Sequence, residues 1–307
     1  MKPSKRFKSF ETFVKNIQDK VCEQVEYLES EPGYGQTIAQ IKTNPRFRED
    51  KWFRPEGGGG RTRIIEGKVF EKGAVNVSSV IGPITPGMKK AVEMNGKEFA
   101  ACGCSLILHP NNPKIPTTHA NVRYFELDTG ACWYGGGVDL TPYYPYPDDF
   151  AFFHKVLKAA CDNQIPYCYN VYKTWCDEYF TIQHRNEMRG IGGVFFDYLD
   201  GEDDRHNKLT RAVGRAFLKA YMPIVLRRSS ESYTDSDKKF QAIRRGRYIE
   251  FNLVYDRGTL FGLRSNARAE SILCSMPPNA EFIYDYSPPP DSPHAQMMKY
   301  YKPTKYC

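Results

Sequence analysis

Three polar side chains at alternating positions, His119, Asn121 and Arg123, are the residues of this chain best suited to chemistry. Side chains alternate between the two faces of a β-strand, so an extended segment places all three on one face. The apolar residues between them, Ala120 and Val122, then point into the core. An imidazole carries a proton near neutral pH, while an amide and a guanidinium bind carboxylates. The pattern predicts a strand whose polar face binds a carboxylate and transfers a proton.

A glycine-rich segment, Gly135–Gly137, ends two residues before Asp139. Glycine has no Cβ atom, so it allows a backbone or a ligand to approach closely. If this segment pairs with the strand of His119 as a hairpin, Asp139 lies near the imidazole. The residues alone leave open the alternative of an ordinary polar strand face beside a turn.

Size, charge and cysteine content narrow the class of protein. The 307 residues are 41% hydrophobic, enough for a sizeable core, and the formal net charge is +7. This charge favours an anionic ligand without choosing between nucleic acid, a membrane surface and a small polycarboxylate. The sequence contains no run suited to crossing a membrane and no apolar signal core, so we expect a cytoplasmic protein. The nine cysteines contain no Cys-x-x-Cys pair and are expected to be reduced thiols.

The order of the predicted elements indicates an α+β protein. Apolar residues at helical spacing predict a helix over 8–30, and the tetraglycine turn at 57–60 precedes an alternating stretch from Thr62 to Val80. We expect one domain over 1–307, with a large, mainly antiparallel β-sheet of about seven strands, because strands arrive in runs with helices clustered between them. The other predicted strands are 98–108, 119–127, 131–139, 191–198, 247–255, 259–264 and 281–286. The other predicted helices are 87–95, 149–162, 168–182, 207–227, 235–245 and 267–275.

Motifs in order along the chain resemble one enzyme family. The stretch from Thr117 to Phe125, followed by Gly-Gly-Gly-Val-Asp-Leu-Thr-Pro at 135–142, is similar to oxygen-dependent coproporphyrinogen III oxidases. The resemblance covers nearly the whole chain. It implies a sheet covered by helices on both faces and a homodimer with contacts around residues 240–275. The other matching segments are Gly57–Arg63, Val69–Lys72, Lys173–Phe180, His184–Gly193, Arg244–Tyr248 and Asn252–Thr259.

The resemblance implies a reaction in haem biosynthesis, the conversion of two propionates of coproporphyrinogen III to vinyl groups, which gives protoporphyrinogen IX. It implies molecular oxygen as co-substrate and no organic cofactor, in agreement with the lack of a Gly-x-Gly-x-x-Gly motif. It assigns His119 as a proton donor and Asp139 as the group that holds the pyrrole nitrogens. The implied substrate-binding residues are Ser105, Asn121, Arg123, Arg185, Arg189, Arg257, Asn266, Ala267 and Arg268.

One implied substrate-binding loop departs from the family pattern. Many members have Gly-Gly-Arg where this chain has Asn266, Ala267 and Arg268. Asparagine tolerates a left-handed backbone, but alanine does so poorly. We therefore expect the loop to take a different path while Arg268 keeps its role.

The histidines leave two alternatives open, a bound metal ion or a metal-free site. None of the six has the i,i+4 spacing of a helical metal pair, so spacing alone supports a metal site weakly. Bacterial members of the family are described with a divalent metal on four histidines, which match His109, His119, His154 and His184. Eukaryotic members are regarded as metal-free. We favour the alternative that all four form hydrogen bonds around the pocket.

Two basic segments have structural alternatives. Tyr255–Gly258 is typical of a hairpin turn, in which Asp256 and Arg257 would form a purely structural pair. Arg244–Arg247 resembles a nucleic-acid patch, but an alternating segment follows it and no aromatic array accompanies it. We interpret it as a solvated helix end or a dimer contact. A nucleic-acid-binding protein and a metal-dependent oxygenase for another anionic ring rank below the porphyrinogen enzyme, because either would make the whole-chain resemblance a coincidence.

Overall fold

A seven-stranded antiparallel sheet is the centre of the fold in the computed structural model, which describes residues 1–30, 46–85, 95–264 and 268–307. Its strands follow the chain as far as the sixth, so short hairpins join most neighbours. The strands are β1 (Arg48–Phe53), β2 (Gly58–Ile65), β3 (Phe70–Pro83), β4 (Glu98–Pro110), β5 (Thr117–Leu127), β6 (Cys132–Thr141), β7 (Thr181–Ile182), β8 (Glu187–Met188) and β9 (Gly193–Asp200). The sheet order is β1-β2-β3-β4-β5-β6-β9, while β7 and β8 form a separate pair.

The helices fall before, between and after these strands. They are α1 (Lys5–Ser30), α2 (Pro147–Asp162), α3 (Cys168–Tyr179), α4 (Asp204–Arg228), α5 (Asp235–Val254), α6 (Arg257–Arg264), α7 (Ala269–Leu273) and α8 (Pro293–Met298). Together with the antiparallel sheet they confirm the predicted α+β class. The helix predicted over 87–95 lies almost entirely outside the described residues.

One face of the sheet is closed by α1 and α4. The ring of Phe10 in α1 is fully buried and lies 6.0 Å from that of Tyr124 in β5 and 5.3 Å from that of Tyr134 in β6. Gly214 of α4 packs so closely that a Cβ there would lie 3.3 Å from Val122 of β5. Burial of an aromatic side chain such as Phe10 contributes about 1.5–3 kcal/mol. This packing fixes which face of β5 is buried.

The opposite face is partly covered by α5 and α7 and is open in the middle. Tyr248 of α5 packs on Ile107 of β4, and the carbonyl of Ser271 in α7 accepts a hydrogen bond of 3.1 Å from Asn76 of β3. Ser105, halfway along β4, is nevertheless exposed. Helices therefore flank both faces, as predicted, but the polar face keeps an open area over its central strands.

Three predicted strands are wrong. Residues 247–254 belong to α5, residues 259–264 belong to α6, and 281–286 form neither helix nor strand. In α5 the buried residues include Tyr248, Phe251 and Asn252, which are three and four positions apart. Helical periodicity therefore governs a segment that also satisfies a strand pattern over a short window.

The prediction of a solvated helix end at Arg244–Arg247 is also wrong. Arg244 and Arg245 lie in the middle of α5 and are each 2% exposed. Arg244 donates to Glu187 at 2.7 Å and Arg245 to Glu71 at 2.7 Å. These ion pairs compensate the buried charges, so the helix continues through the arginines and Gly246.

Candidate active site

The open face of β5 carries the three polar residues that the sequence singles out. Burial alternates along this strand, with His119, Asn121 and Arg123 half-buried and the residues between them buried against α1 and α4. The predicted shared face is therefore confirmed. These side chains lie beside the open area around Ser105, which pairs with Asn121 in the sheet.

The predicted pairing of β5 and β6 is also confirmed. His119 lies directly opposite Asp139, and its Nδ1 is 2.9 Å from the Asp139 Oδ1. Arg189 approaches the same carboxylate from the other side, with Nη2 donating at 2.8 Å and 2.9 Å and Nε at 3.1 Å. Both oxygens of Asp139 are therefore engaged, and its side chain is 2% exposed.

The buried carboxylate is held in its ionised form. Burial alone raises the pKa of Asp139, but the Arg189 charge and the His119 contact outweigh it and lower the pKa below its usual value. The guanidinium of Arg189 lies 4.0 Å from the ring centre of Phe180, so an aromatic face also stabilises it. An ionised carboxylate can only accept hydrogen bonds, so Nδ1 of His119 must carry the donated proton. Nε2 of His119 is then the nitrogen left to take up or release a proton.

A second polar group extends along the same face from Asn121. Its Oδ1 accepts from Arg123 Nη1 at 2.6 Å, while Arg123 Nη2 lies 2.9 Å from Asp197 Oδ2. The Nη2 of Arg257 lies 3.5 Å from the same Asp197 oxygen. Two guanidiniums therefore meet over one carboxylate. No local pattern in the sequence indicates Asp197, because only the pairing of β6 with β9 brings it here.

Small residues surround Asn121 and Arg123 on the neighbouring strands. Arg123 pairs with Gly103 of β4 and Gly135 of β6, while Asn121 pairs with Ser105 and Gly137. A Cβ at Gly135 would lie 2.6 Å from Asp197 Oδ1 and 2.7 Å from Arg123 Nε, so the glycine leaves room for this ion pair. Gly135 and Gly137 are buried under Arg123, Asp197 and Phe195, whereas Gly103 is half-buried and Ser105 is exposed. The open part of this surface, here called the floor, is therefore Gly103 and Ser105. A flat ligand can lie on this floor within reach of Asn121 and Arg123.

An aromatic row borders the floor beyond Arg123. Phe125 stacks on Trp133 with ring centres 4.5 Å apart, and Trp133 contacts Tyr198 at 5.5 Å. On its other side Phe125 stacks on Phe99 at 5.3 Å. The open face therefore changes from polar to apolar along β5, which suits a ligand with both a ring surface and carboxylates.

The remaining predicted substrate residues occupy other positions. Arg185 donates to Glu250 at 2.7 Å and 2.9 Å, and Arg189 is buried behind Asp139. Arg268 forms an ion pair of 2.6 Å with Asp50, which is in the same cross-strand row as Asn121 but four strands away, or about 19 Å. Asn266 and Ala267 lie outside the described residues.

The hairpin turn expected at Tyr255–Gly258 is absent, because α6 begins at Arg257. Asp256 accepts a hydrogen bond of 2.7 Å from the backbone N–H of Thr259, as a residue at a helix N-terminus does. The Arg257 side chain points instead to Asp197. Its role is therefore not that of the structural Asp–Arg pair that the sequence suggested.

The four candidate metal histidines are engaged with other partners. Within residues 1–30, 46–85, 95–264 and 268–307, no group of three or more His, Cys, Asp or Glu side chains is arranged to hold a metal ion. His109 bonds to the Ser275 carbonyl at 2.9 Å, and His154 to the Tyr169 hydroxyl at 2.8 Å. His184 contacts Glu250 through Nε2. The arrangement does not fit one ion bound by all four histidines, and we derive no step through a metal.

Burial also keeps two of these histidines neutral. Desolvation lowers the pKa of His109 to about 3, with Arg245 adding to the effect. Desolvation and Lys173 likewise lower the pKa of His154 to about 3. Both imidazoles therefore serve as neutral hydrogen-bonding groups of the core.

The fold and the site together define a class of protein, an α+β protein that presents an imidazole beside guanidiniums suited to an anionic, carboxylate-bearing ligand. None of the helices in the described residues has the length and apolar character needed to cross a membrane. The chain matches the family model of coproporphyrinogen III oxidase over residues 9–306 and belongs to that family. Its activity is therefore that of a coproporphyrinogen III oxidase, a decarboxylation in porphyrin biosynthesis.

Proposed function

We propose that this chain uses molecular oxygen to convert two propionates of coproporphyrinogen III to vinyl groups, giving protoporphyrinogen IX. The observation that carries the proposal is the floor of Gly103 and Ser105, which lies beside Asn121 and Arg123 and close to His119. It offers one open area with a flat surface, a proton carrier and carboxylate-binding groups. A porphyrinogen with four propionates requires these three features.

The chemistry of the reaction explains why no organic cofactor is proposed. Each propionate that becomes a vinyl group loses carbon dioxide, one proton and two electrons. Oxygen accepts the two electrons with two protons, so one further proton must be supplied for each propionate at the level of hydrogen peroxide. The electron-rich pyrroles of a porphyrinogen are themselves able to reduce oxygen. The protein then has to orient the propionate, supply protons and exclude competing reactions.

We assign the orientation of the propionate to Arg123, Asn121 and Arg257. Arg123 and Arg257 are 38% and 52% exposed, so both present N–H groups to the solvent side of the floor. A guanidinium binds a carboxylate through a fixed pair of donors, which sets direction as well as affinity. Such positioning lowers the entropic part of the barrier.

We assign proton transfer to His119, with Asp139 acting through it. The sequence suggested that Asp139 itself meets the pyrrole N–H groups, but both of its oxygens are engaged and it is 2% exposed. His119 is 18% exposed and stands between Asp139 and the floor. Asp139 therefore fixes the tautomer and orientation of the imidazole.

We further propose that the enzyme is a homodimer that uses the segment around residues 240–275. Four apolar side chains of this segment are between 40% and 51% exposed, which leaves them accessible to a second subunit. They are Leu253, Val254, Leu263 and Leu273. Light scattering after gel filtration tests this: Leu253→Asp should shift the mass from dimer to monomer, whereas Leu226→Asp, at an exposed leucine outside the segment, should not.

The test of the proposed function compares turnover in air and under argon. Purified protein is given coproporphyrinogen III, and porphyrins are identified by chromatography after chemical oxidation. We expect protoporphyrin and two carbon dioxide molecules per substrate in air and neither under argon. Equal turnover under argon would contradict the oxygen requirement. Loss of activity with a chelator and recovery with a metal would support the metal-dependent oxygenase instead.

A further inference from the structure

The Asp197 carboxylate occupies an unusual place between the two guanidiniums at the edge of the floor. It is 10% exposed, whereas Arg123 and Arg257, which lie 2.9 Å and 3.5 Å from its Oδ2, are 38% and 52% exposed. The anion is thus fixed inside and the cations are presented outside. Ion pairs with exposed cations contribute little to stability. A purely structural role therefore does not explain why the two cations are exposed while the anion is buried.

The local backbone holds Asp197 in place. Its Oδ1 accepts a hydrogen bond of 3.0 Å from the backbone N–H of Tyr198, which has a left-handed backbone with φ of 51°. A non-glycine residue in this region costs free energy, so surrounding contacts must maintain it. Tyr198 is held by Trp133, and the pairing of β6 with β9 changes register between Tyr134 and Gly136.

The ring of Phe195, two residues before Asp197 on β9, supports both cations from below. The guanidinium carbons of Arg123 and Arg257 lie 6.0 Å and 5.8 Å from its centre. Two positive charges this close to one ring repel each other, and an anion between them offsets that repulsion. Asp197 supplies that anion, so the two arginines and Asp197 together keep one net positive charge.

We propose that Asp197 is a positioning residue that holds Arg123 and Arg257 as a paired binding site for one propionate carboxylate of the substrate. Each guanidinium has five N–H donors, and Asp197 and Asn121 use only part of those of Arg123. Because Arg123 and Arg257 are 38% and 52% exposed, the remaining donors are accessible to a ligand. This inference rests on the proposed function, because it names the substrate group that the site receives.

Replacement of Asp197 tests the proposal because two effects oppose each other. Asp197→Asn removes a negative charge near an anion site, so electrostatics alone predicts tighter binding and unchanged chemistry. Loss of positioning predicts a fall in kcat of about tenfold to a hundredfold, because misplacement of about 1 Å has such effects. We expect that fall, with KM within about threefold of wild type. A wild-type kcat with a lower KM would show that Asp197 only competes with the substrate, and would overturn the proposal.

Gly135→Ala disturbs the same ion pair without changing any charge. The added methyl would lie 2.6 Å from Asp197 Oδ1 and 2.7 Å from Arg123 Nε, which are the ends of flexible side chains, so the fold can adapt. We expect a fall in kcat like that of Asp197→Asn. The kcat of the double variant should be no lower than that of the worse single variant, because both substitutions act on the same ion pair.

Gly82→Ala is the matched control. It is also a strand glycine, but a Cβ there would make only ordinary contacts, 3.6 Å from Glu56 and 3.9 Å from Phe99. It should keep wild-type kcat and KM, and thermal unfolding should show all variants folded. Fully additive losses in the double variant would contradict the positioning role. Failure of wild-type protein to decarboxylate coproporphyrinogen would instead contradict the proposed function, so the two failures are distinct.

Discussion

Arg189 and Asp139 form a buried ion pair in which the guanidinium contacts both carboxylate oxygens at 2.8–3.1 Å, with side chains 1% and 2% exposed. The pair lies behind His119 and away from solvent. Arg189 thereby keeps Asp139 ionised, and the ionised carboxylate orients the imidazole. The proton transfer proposed for His119 would thus depend on an ion pair that is buried away from solvent.

Removal of Arg189 alone should be strongly destabilising. Arg189→Met leaves the Asp139 charge buried without its main partner, which costs about 3–5 kcal/mol. Urea unfolding at neutral pH measures this loss. The double variant Arg189→Met/Asp139→Asn should be more stable than the single variant, since no uncompensated charge remains. A single variant as stable as wild type would show that Asp139 does not need this partner.

Asp139→Asn should remove catalysis, and it should also destabilise the protein, because the buried Arg189 charge loses its main partner. Turnover is therefore measured below the unfolding temperature of the variant. An amide of the same shape no longer fixes the tautomer of His119, so kcat should fall by about a hundredfold to ten-thousandfold. Coproporphyrin III, the oxidised form of the substrate, should still bind within about threefold of the wild-type affinity, because Asp139 is buried away from the floor. Fluorescence titration measures this binding. A large loss of binding with normal turnover of bound substrate would indicate that Asp139 contacts the substrate directly.

Arg123→Lys tests whether the guanidinium shape matters as well as its charge. The guanidinium contacts Asn121 at 2.6 Å and Asp197 at 2.9 Å at the same time, which one ammonium group cannot reproduce in the same geometry. We expect kcat/KM to fall about tenfold or more. Arg205→Lys is the control, because Arg205 is 69% exposed and pairs only with its neighbour Asp203. Equal kcat/KM in Arg123→Lys and wild type would mean that charge alone suffices.

Stability should fall with acid because two histidines are buried in neutral form. Burial lowers the pKa of His109 and His154 from 6.5 to about 3. Between these values the unfolded chain binds protons that the folded chain does not, so the free energy of unfolding rises with pH by about 1.4 kcal/mol per unit for each group. His154→Gln should reduce that slope between about pH 4 and pH 6 by this amount.

Lys155→Gln is the control for that measurement, because the residue is next to His154 on α2 but is exposed. Urea unfolding at several pH values gives the slopes. An unchanged slope in His154→Gln would contradict a neutral, buried imidazole at this position.

The local periodicity of the sequence predicts much of the sheet and the centre of the site. The alternation around His119, Asn121 and Arg123 gives their shared face, and the glycines before Asp139 give the hairpin pairing. Both predictions hold because they depend only on neighbouring strands. They need no knowledge of distant parts of the chain.

The predictions that are wrong or absent concern residues whose partners lie far away in the sequence. Arg244 and Arg245 resemble a solvated end of a helix, but Glu187 and Glu71 are brought to them by the fold and allow α5 to continue. Asp197 gives no signal in its own strand, because its function depends on arginines from β5 and α6. Ion pairs between distant residues are not encoded in a local pattern.

The central claim is that His119 transfers the proton for decarboxylation on the open floor of the sheet. The most direct measurement compares turnover of coproporphyrinogen III by wild type and His119→Gln in air, together with binding of coproporphyrin III. We expect kcat to fall by about a hundredfold or more, while the affinity for coproporphyrin III stays within about threefold of wild type. A His119→Gln protein that forms protoporphyrinogen at the wild-type rate would contradict it.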